Sequence, residues 1–299
     1  MAHIKNLTLG AGIALAGMIL PGSLYAGTDT TAPSKAVVDT TTKTAITGDL
    51  GVNFVSEYIT RGAPQEIKGV IAQPYADLYF SLYEGEGFVN KVSLNLGIWG
   101  SLHSAKTLAI PGSTSAGWYE FDYTPGVAIT FAKNFTLTAS YFEFDSPNDA
   151  FKASRNLNFN LAYNDADLLG AFALHPHVTY LRELENKATN GPLGTEGNYY
   201  EAGVAPALPA YGPVTISFPL TVGFGTNHFY YANHAFGYAS GGVNASVALN
   251  FIPAKFGTWA LNASATYYRL PSQNAWVYSP SNPIDKDRVV FSGGIGATF

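Results

Sequence analysis

The sequence predicts an all-β fold, namely a transmembrane antiparallel up-and-down β-barrel of about twelve strands. Only 12% of the residues are charged although 47% are hydrophobic, whereas a soluble domain carries about 25% charged residues. Apolar residues alternate with small polar residues over many short segments, which is the period of a β-strand. Alternately short and long connectors join these segments, which is typical of bacterial outer-membrane barrels.

The composition excludes several other classes of protein. The 31 Gly and 17 Pro argue against long helices, and the absence of Cys excludes a disulfide scaffold, a thiolate metal site and a Cys nucleophile. The net charge of -5 offers no basic excess that could neutralise phosphates, so we expect no nucleic-acid partner.

Residues 1–26 have the three-part order of a secretory signal peptide. Lys5 supplies the positive charge, residues 7–20 are uncharged and mostly apolar, and we expect cleavage after Ala26. An N-terminal membrane anchor is the alternative, but the apolar core is shorter than the roughly 20 residues of a spanning helix. Residues 27–48 are rich in Thr and predict a flexible linker. The barrel is therefore predicted over residues 49–299.

The 53-residue stretch 202–254 contains no Asp, Glu, Lys or Arg, which raises the question of membrane helices. Five prolines, together with many glycines, would interrupt any 20-residue span, so helices are excluded. From Val214 to Phe224 every second residue is apolar and the intervening ones are Thr, Ser, Pro or Gly. Small polar residues on the second face indicate a barrel lumen rather than the charged surface of a soluble sheet.

The same alternation predicts twelve strands, an even number as single-chain bacterial barrels require. They cover residues 49–60, 68–83, 88–101, 117–132, 135–145, 155–164, 168–182, 198–207, 213–225, 237–251, 257–270 and 288–299. Short connectors are predicted at 84–87, 133–134, 165–167, 208–212 and 252–256, and long ones at 61–67, 102–116, 146–154, 183–197, 226–236 and 271–287. Short turns are typical of the periplasmic end and long loops of the extracellular end.

Aromatic residues near predicted strand ends indicate girdles at the two membrane interfaces. The girdle candidates are Trp99, Tyr119, Phe131, Phe135, Phe251, Phe256 and Trp259. Phe299 ends the chain on an alternating strand and resembles the C-terminal assembly signal of bacterial outer-membrane barrels. The expected partners are therefore the lipid of the bacterial outer membrane and the barrel-assembly machinery, and the expected location is that membrane after signal-peptide cleavage.

Five segments resemble a bacterial family of uncharacterised outer-membrane proteins known as Gcw_chp. Residues 54–62, Phe-Val-Ser-Glu-Tyr-Ile-Thr-Arg-Gly, are similar to the opening segment of that family, in which a Ser, an acid, a Tyr and Arg-Gly have similar spacing. Residues 199–204, 216–225, 236–243 and 256–261 are similar to later strands of its longer members. The resemblance implies an outer-membrane barrel and brings no known substrate.

The scarce charged residues on the predicted inward face are the candidates for a constriction. These lumen candidates are Glu57, Asp77, Glu120, Asp122, Glu201, Arg61, Arg155, Arg182, His175 and His177. Facing acids and arginines can filter small solutes by charge. They can equally form an internal salt-bridge network that fills a narrow lumen, because inward charges need partners in either case.

The sequence favours neither a metal site nor an enzyme. His175 and His177 are two residues apart on the predicted strand 168–182 and could offer two imidazoles, but no third ligand is assignable. An outer-membrane esterase needs a Ser within reach of a His, and no Gly-x-Ser-x-Gly elbow occurs. We therefore expect no metal, no cofactor and no catalytic residues.

The predicted function is a narrow porin-like channel for the passive passage of small hydrophilic solutes. A twelve-stranded lumen lies between the filled eight-stranded barrel and the open sixteen-stranded porin. The alternative is a non-conducting surface receptor, adhesin or structural barrel that acts through the loops 102–116, 183–197 and 271–287. An esterase is the least favoured alternative.

Overall fold

The computed structural model describes residues 46–105, 116–187, 195–230, 233–272 and 285–299. The predicted signal peptide 1–26 and most of the predicted linker 27–48 lie outside the described residues. The first strand begins at Ile46, three residues before the predicted start of the barrel. No helix in the described ranges is long and apolar enough to cross a membrane.

The described chain is built almost entirely of antiparallel strands. Their bounds are β1 Ile46–Val55, β2 Tyr58–Thr60, β3 Ala63–Glu66, β4 Ile71–Glu84, β5 Val89–His103, β6 Gly117–Tyr123, β7 Gly126–Phe131, β8 Phe135–Asp145, β9 Ser154–Tyr163, β10 His177–Glu185, β11 Asn198–Val204, β12 Val214–Ser217, β13 Leu220–Thr226, β14 Phe236–Ala248, β15 Thr258–Arg269 and β16 Asp287–Thr298. A single helical turn, α1, covers Ala166–Leu169 and continues into a 3₁₀ turn at Gly170–Phe172.

All strands except β2 and β3 form one closed barrel. Consecutive strands pair in an up-and-down order, and β1 pairs with β16 to complete the circle. We call each continuous crossing of the barrel wall a stave. Strands β6 and β7 together form one stave that is interrupted at Pro125, and β12 and β13 together form one that is interrupted at Pro219. Proline lacks the N–H that a continuous ladder needs. The prediction of a closed, twelve-stranded antiparallel barrel is therefore confirmed.

Each stave presents alternate residues to the outside and to the lumen. On β1, Leu50 and Phe54 are exposed on the outer wall, whereas Asp49, which directly precedes Leu50, is buried on the inward face. The same parity holds on β9, where Leu157 and Phe159 are exposed and Asn158 is buried. The outer wall is thus the apolar face and the lumen the polar face, as in membrane barrels.

The two ends of the barrel differ in their connectors. The long-loop end carries residues 56–70, 104–116, 146–153, 186–197, 227–235 and 270–286, and the short-turn end carries 85–88, 132–134, 164–176, 205–213 and 249–257. The C-terminal Phe299 lies at the short-turn end, where its backbone N–H and C=O both bond to Gly48. The difference in length is smaller than predicted, because the short-turn connectors 164–176, 205–213 and 249–257 are markedly longer than predicted.

The predicted strand 168–182 is wrong in its first half, since β10 begins only at His177. The residues before it form α1 and the 3₁₀ turn. Asp165 closes this connector by accepting the N–H groups of Leu174 at 2.9 Å and His175 at 2.9 Å. A side-chain carboxylate that satisfies backbone donors makes a compact turn possible where the apolar residues alone suggested a strand.

Candidate functional site

The first long-loop connector folds into the lumen instead of standing above the barrel. The predicted first strand 49–60 ends at Val55, and residues 58–66 form the separate hairpin β2–β3. Its two-residue turn is Arg61–Gly62, with φ of 48° and 76°. Positive φ at both central residues defines the type I′ turn that suits a tight hairpin, and Gly tolerates it without strain. We call residues 58–66 the plug hairpin.

The plug hairpin packs against nearly the whole circumference of the barrel. Tyr58 belongs to a buried cluster contributed by β1, β4, β5 and β6, whereas the next residue, Ile59, belongs to a cluster contributed by β8, β10, β11, β14, β15 and β16. Phe151, from another long-loop connector, packs against both clusters. Successive strand residues point to opposite sides, so the hairpin lies across the lumen. We call the part of the lumen at this level the long-loop half.

Specific polar contacts hold the base of the plug hairpin. Glu57, which precedes it, accepts two hydrogen bonds from the guanidinium of Arg288 at 2.5 and 2.8 Å. Tyr58 donates to Glu120 at 2.7 Å, and Tyr119 donates to Gln65 at 2.7 Å. A bidentate Arg–carboxylate pair is among the strong polar interactions in proteins, so the hairpin is fixed in position as well as packed.

The tip of the plug hairpin rests on a second inward-folded loop. Tyr230 is fully buried, and its hydroxyl donates to the backbone carbonyl of Arg61 at 2.8 Å. A Cβ on Gly237 would meet the Tyr230 hydroxyl at 2.0 Å, and one on Gly225 would meet its ring at 2.6 Å. These two glycines of the barrel wall therefore provide the space that the Tyr230 ring occupies.

The side chain of Arg61 lies among aromatic rings and two carboxylates of the wall. Its guanidinium carbon is 5.2 Å from the centre of the Phe144 ring and 5.8 Å from that of Tyr199. Glu120 and Asp122 lie close enough to interact with Arg61 electrostatically. Asp122 is 0% exposed, and its carboxyl is hydrogen-bonded to that of Glu120.

A third carboxylate, Glu201, is fully engaged by side chains of the wall. It accepts hydrogen bonds from the hydroxyls of Tyr199 and Tyr238, the latter at 2.8 Å, and His177 Nε2 lies 3.6 Å from its other oxygen. These three partners come from β10, β11 and β14. Glu201 therefore links neighbouring staves by a hydrogen-bonded network, the arrangement that buried carboxylates require.

A buried ion pair closes the same half of the lumen towards the long-loop end. Lys187 Nζ lies 2.5 Å from Glu183 Oε2, with side-chain exposures of 3% and 0%. The ammonium also donates to the carbonyls of Thr195 at 2.7 Å and His228 at 3.0 Å. The Lys187 ammonium therefore links Glu183 at the end of β10 and Thr195 to His228, which belongs to a different connector.

The remaining part of the lumen, the short-turn half, has a different lining. Its inward residues are mostly Gly, Ser, Thr and Asn, and Asn262, Ser264 and Ser292 on β15 and β16 are only partly buried. The acids in this half include Asp49 and Asp77, which are directly opposite each other on β1 and β4. Other inward residues of this half are buried, among them Thr138 and Asn158 at 2% exposure, and the hydroxyl of Tyr79 on β4 donates to Asp49 at 3.0 Å.

Three of the predicted lumen residues lie elsewhere. Arg155 is 44% exposed on the outer wall, where it pairs with Glu143 and Glu185. Arg182 is also on the outer wall, because it faces the same way as the exposed Leu157 opposite it in the ladder. His175 belongs to the connector before β10 and lies 3.8 Å from Asp165. The predicted pair of imidazoles on one strand face therefore does not form.

The other predicted lumen residues are brought together. Arg61, Glu120 and Asp122 line the long-loop half, and Glu201 lies beside His177, the first residue of β10. Glu57 supports the plug hairpin, and Asp77 lies in the short-turn half. Arg288 and Asp49 were missed, although both share the parity of the small inward residues on their strands, which was the available signal. Lys187 follows the end of β10, so strand parity could not have identified it.

The girdle prediction is wrong for Trp99 and Tyr119, which are 3% and 8% exposed inside the barrel and pack around Tyr58. The parity of β5 already indicated this for Trp99, since it follows Asn95 and Gly97 on the polar face. Phe131 and Phe135 stack on the outer wall near the short-turn end. The remaining girdle candidates also lie near that end, namely Phe251, Phe256 and Trp259. Their role in a girdle stays a prediction.

A Ser–His contact of the kind an esterase needs is present but enclosed. Ser101 Oγ lies 2.9 Å from His103 Nε2, both on the inward face of β5. Ser101 is 0% and His103 3% exposed, and the His103 ring stacks on Tyr119 at 4.4 Å. A substrate carbonyl has no access to this serine. No group of three or more potential metal ligands occurs within the described ranges.

Comparison with known proteins places the similarity at the level of the fold. No protein-family model and no curated protein matches the chain, so the resemblance to Gcw_chp stays a prediction. The NanC porin superposes over 84% of this chain and 98% of its own with a TM-score of 0.46 and 12% identity. An outer-membrane channel from Pseudomonas putida F1 superposes over 85% and 95%, with a TM-score of 0.47 and 12% identity.

An enzyme occurs among the similar structures as well. Outer membrane phospholipase A from Escherichia coli superposes over 84% of this chain and 92% of its own, with a TM-score of 0.41 and 11% identity. At identities this low, similarity concerns the barrel architecture, and function has to be argued from the side chains.

Proposed function

We propose that this protein is an outer-membrane channel for small hydrophilic solutes that is closed by its own plug hairpin in the present conformation. The observation that carries the proposal is the contrast within the lumen. Small polar residues line the short-turn half, whereas a separate hairpin closes the long-loop half. A barrel that needed only internal stability could fill both halves with wall side chains, as eight-stranded barrels do.

The charges in the lumen favour cations over anions. Acids include Asp49, Asp77 and Asp122, whereas two of the cationic side chains, Arg288 and Lys187, are paired with Glu57 and Glu183. Charged lumen residues determine the sign of the ions that a pore prefers. We therefore propose a cation-preferring passage that opens when the plug hairpin leaves its position.

Planar-bilayer recording tests the proposal. The purified full chain should show little steady current, and replacement of residues 58–66 by nine Gly and Ser residues should give long-lived open steps. A chain with a Gly–Ser replacement of the same length within residues 106–115 serves as the matched control, because it leaves the sequence of the plug hairpin unchanged. Folding of each variant is checked by heat-dependent migration on SDS gels. A folded hairpin-replacement variant that never conducts would refute the channel.

A non-conducting structural or receptor barrel is the second candidate, and the buried Lys187–Glu183 pair favours it, because this pair adds a closure that a frequently opening passage would have to break. The two candidates differ in one measurement. Under the second, the hairpin-replacement variant inserts into bilayers without current, and removing the connector 186–197 abolishes binding of a surface partner.

A further inference from the structure

The lumen wall around Arg61 has the composition of a binding site for an organic cation. Two aromatic faces, from Phe144 and Tyr199, stand within 6 Å of the guanidinium carbon, the distance at which cation–π attraction operates. Two buried carboxylates, Glu120 and Asp122, complete the enclosure. Aromatic faces combined with carboxylates recognise guanidinium and alkylammonium groups.

Arg61 occupies this enclosure without using all of its hydrogen-bond donors. Its Nη1 is buried and has no hydrogen-bond partner in the described chain, and the fully buried carboxyl of Asp122 is hydrogen-bonded to the neighbouring Glu120 carboxyl instead of to Arg61. A carboxylate can accept two parallel N–H bonds from a guanidinium. Arg61 Nη1 makes no such bond, and the backbone of Arg61 is held in the hairpin turn, whereas an untethered ligand has no backbone constraint.

A hard metal ion fits the enclosure poorly. Divalent cations such as Ca²⁺ take six to eight oxygen ligands, and two ring faces occupy the positions where such ligands would be needed. Glu120 already accepts a hydrogen bond from Tyr58 at 2.7 Å, and its carboxyl is also hydrogen-bonded to that of Asp122, so the two carboxyls do not offer a full set of ligands.

We propose that Glu120, Asp122, Phe144 and Tyr199 form a binding site for the guanidinium or alkylammonium group of a small solute, and that Arg61 occupies this site in the closed protein. The inference rests on the proposed function, since it names the class of solute that the passage would admit. A cationic solute would displace Arg61 and so favour departure of the plug hairpin. The Arg61 side chain of the plug hairpin and the cationic group of the solute then compete for the same site.

The test measures binding rather than passage. Arg61→Ala empties the site, and the refolded full chain in detergent is titrated with L-argininamide by calorimetry. L-citrullinamide, which has a similar shape and an uncharged ureido group, is the control ligand. We expect argininamide to bind Arg61→Ala at least tenfold more tightly than the wild-type chain, and the double variant Arg61→Ala/Asp122→Asn to lose at least tenfold of that affinity.

Two further variants secure the interpretation. Arg61→Met keeps the length of the side chain and replaces Arg61→Ala if the latter does not fold. Arg155→Ala removes an arginine from the outer wall and should bind argininamide as the wild type does. Equal binding of both ligands, no gain on removing Arg61, or no loss on adding Asp122→Asn would overturn the site. If Arg61→Ala binds argininamide but the hairpin-replacement variant never conducts, the channel is refuted and the binding site stands. If the hairpin-replacement variant conducts but Arg61→Ala does not bind argininamide, the binding site is refuted and the channel stands.

Discussion

The two halves of the lumen differ although the same staves line both. On β8, the inward residues are Thr138 and Ser140 in the short-turn half and Phe142 and Phe144 in the long-loop half. On β14 two consecutive inward positions carry Ser240 and, nearer the long-loop end, the much larger Tyr238. Strand parity therefore determines which face a residue occupies, whereas side-chain size along that face determines whether the lumen is filled.

The largest expected effect comes from breaking the charge pair that closes the long-loop half. Lys187→Met leaves the Glu183 carboxylate buried without its cation, which should lower the free energy of unfolding by about 3–5 kcal/mol. Urea titration of the protein in lipid vesicles measures the loss. Arg155→Ala breaks a charge pair on the exposed outer wall and should cost less than about 1 kcal/mol. Equal losses would show that the Lys187 pair is not buried as described.

A matched pair on β8 compares the two halves directly. Phe142→Ala removes a ring that packs in the cluster around Ile59 and should cost about 3 kcal/mol, the lower end for such truncations, because lumen water can enter the cavity. Thr138→Ala, four residues away on the same face of β8, should cost less than about 1 kcal/mol. The same urea titration measures both. A Thr138→Ala loss as large as that of Phe142→Ala would mean that the short-turn half is also tightly packed.

Acid should loosen the connector that Asp165 organises at the short-turn end. Burial opposes ionisation of Asp165, but the N–H groups of Leu174 and His175 outweigh it and hold the pKa of the carboxyl below its usual value. A lowered pKa in the folded state means that the stabilisation is complete above the unfolded pKa of about 4 and is lost as the pH falls through the folded pKa.

The variant that checks this pH dependence is Asp165→Asn, which should cost about 2 kcal/mol at pH 7 by replacing charge-assisted hydrogen bonds with weaker ones. Hydrogen exchange at the amides of Leu174 and His175 reports the local opening. The wild type should approach the variant at pH 3. A difference that is as large at pH 3 as at pH 7 would contradict the assigned role of the carboxylate.

The smallest effect is expected at the tip of the plug hairpin. Tyr230→Phe removes the donor to the Arg61 carbonyl and should cost about 1 kcal/mol, while channel openings should become more frequent. Tyr267→Phe, whose hydroxyl donates to Asp287 on the outer wall, is the control and should leave the opening frequency unchanged. If both substitutions changed the opening frequency equally, the Tyr230–Arg61 hydrogen bond would have no specific role in keeping the channel closed.

Much of the fold could be predicted from the sequence because the period of two is a local property. The β8 bounds were predicted to the residue, and the inward positions of Asp77 and Glu120 followed from parity alone. Where local signals competed, the prediction was wrong. The apolar residues before His177 suggested a strand, but the Asp165 carboxylate organises them into turns.

The sequence by itself determined the class of fold, the number of staves and the face on which most residues lie, because alternation and turn residues act over a few positions. The plug hairpin was decided by the tertiary structure. Tyr58 and Ile59 continue the alternation of β1, and nothing nearby indicates that the chain turns inwards. The contacts that turn it, from Glu57 to Arg288 and from Tyr58 to Glu120, join residues far apart in the chain. Only closure of the barrel brings these partners within reach of one another.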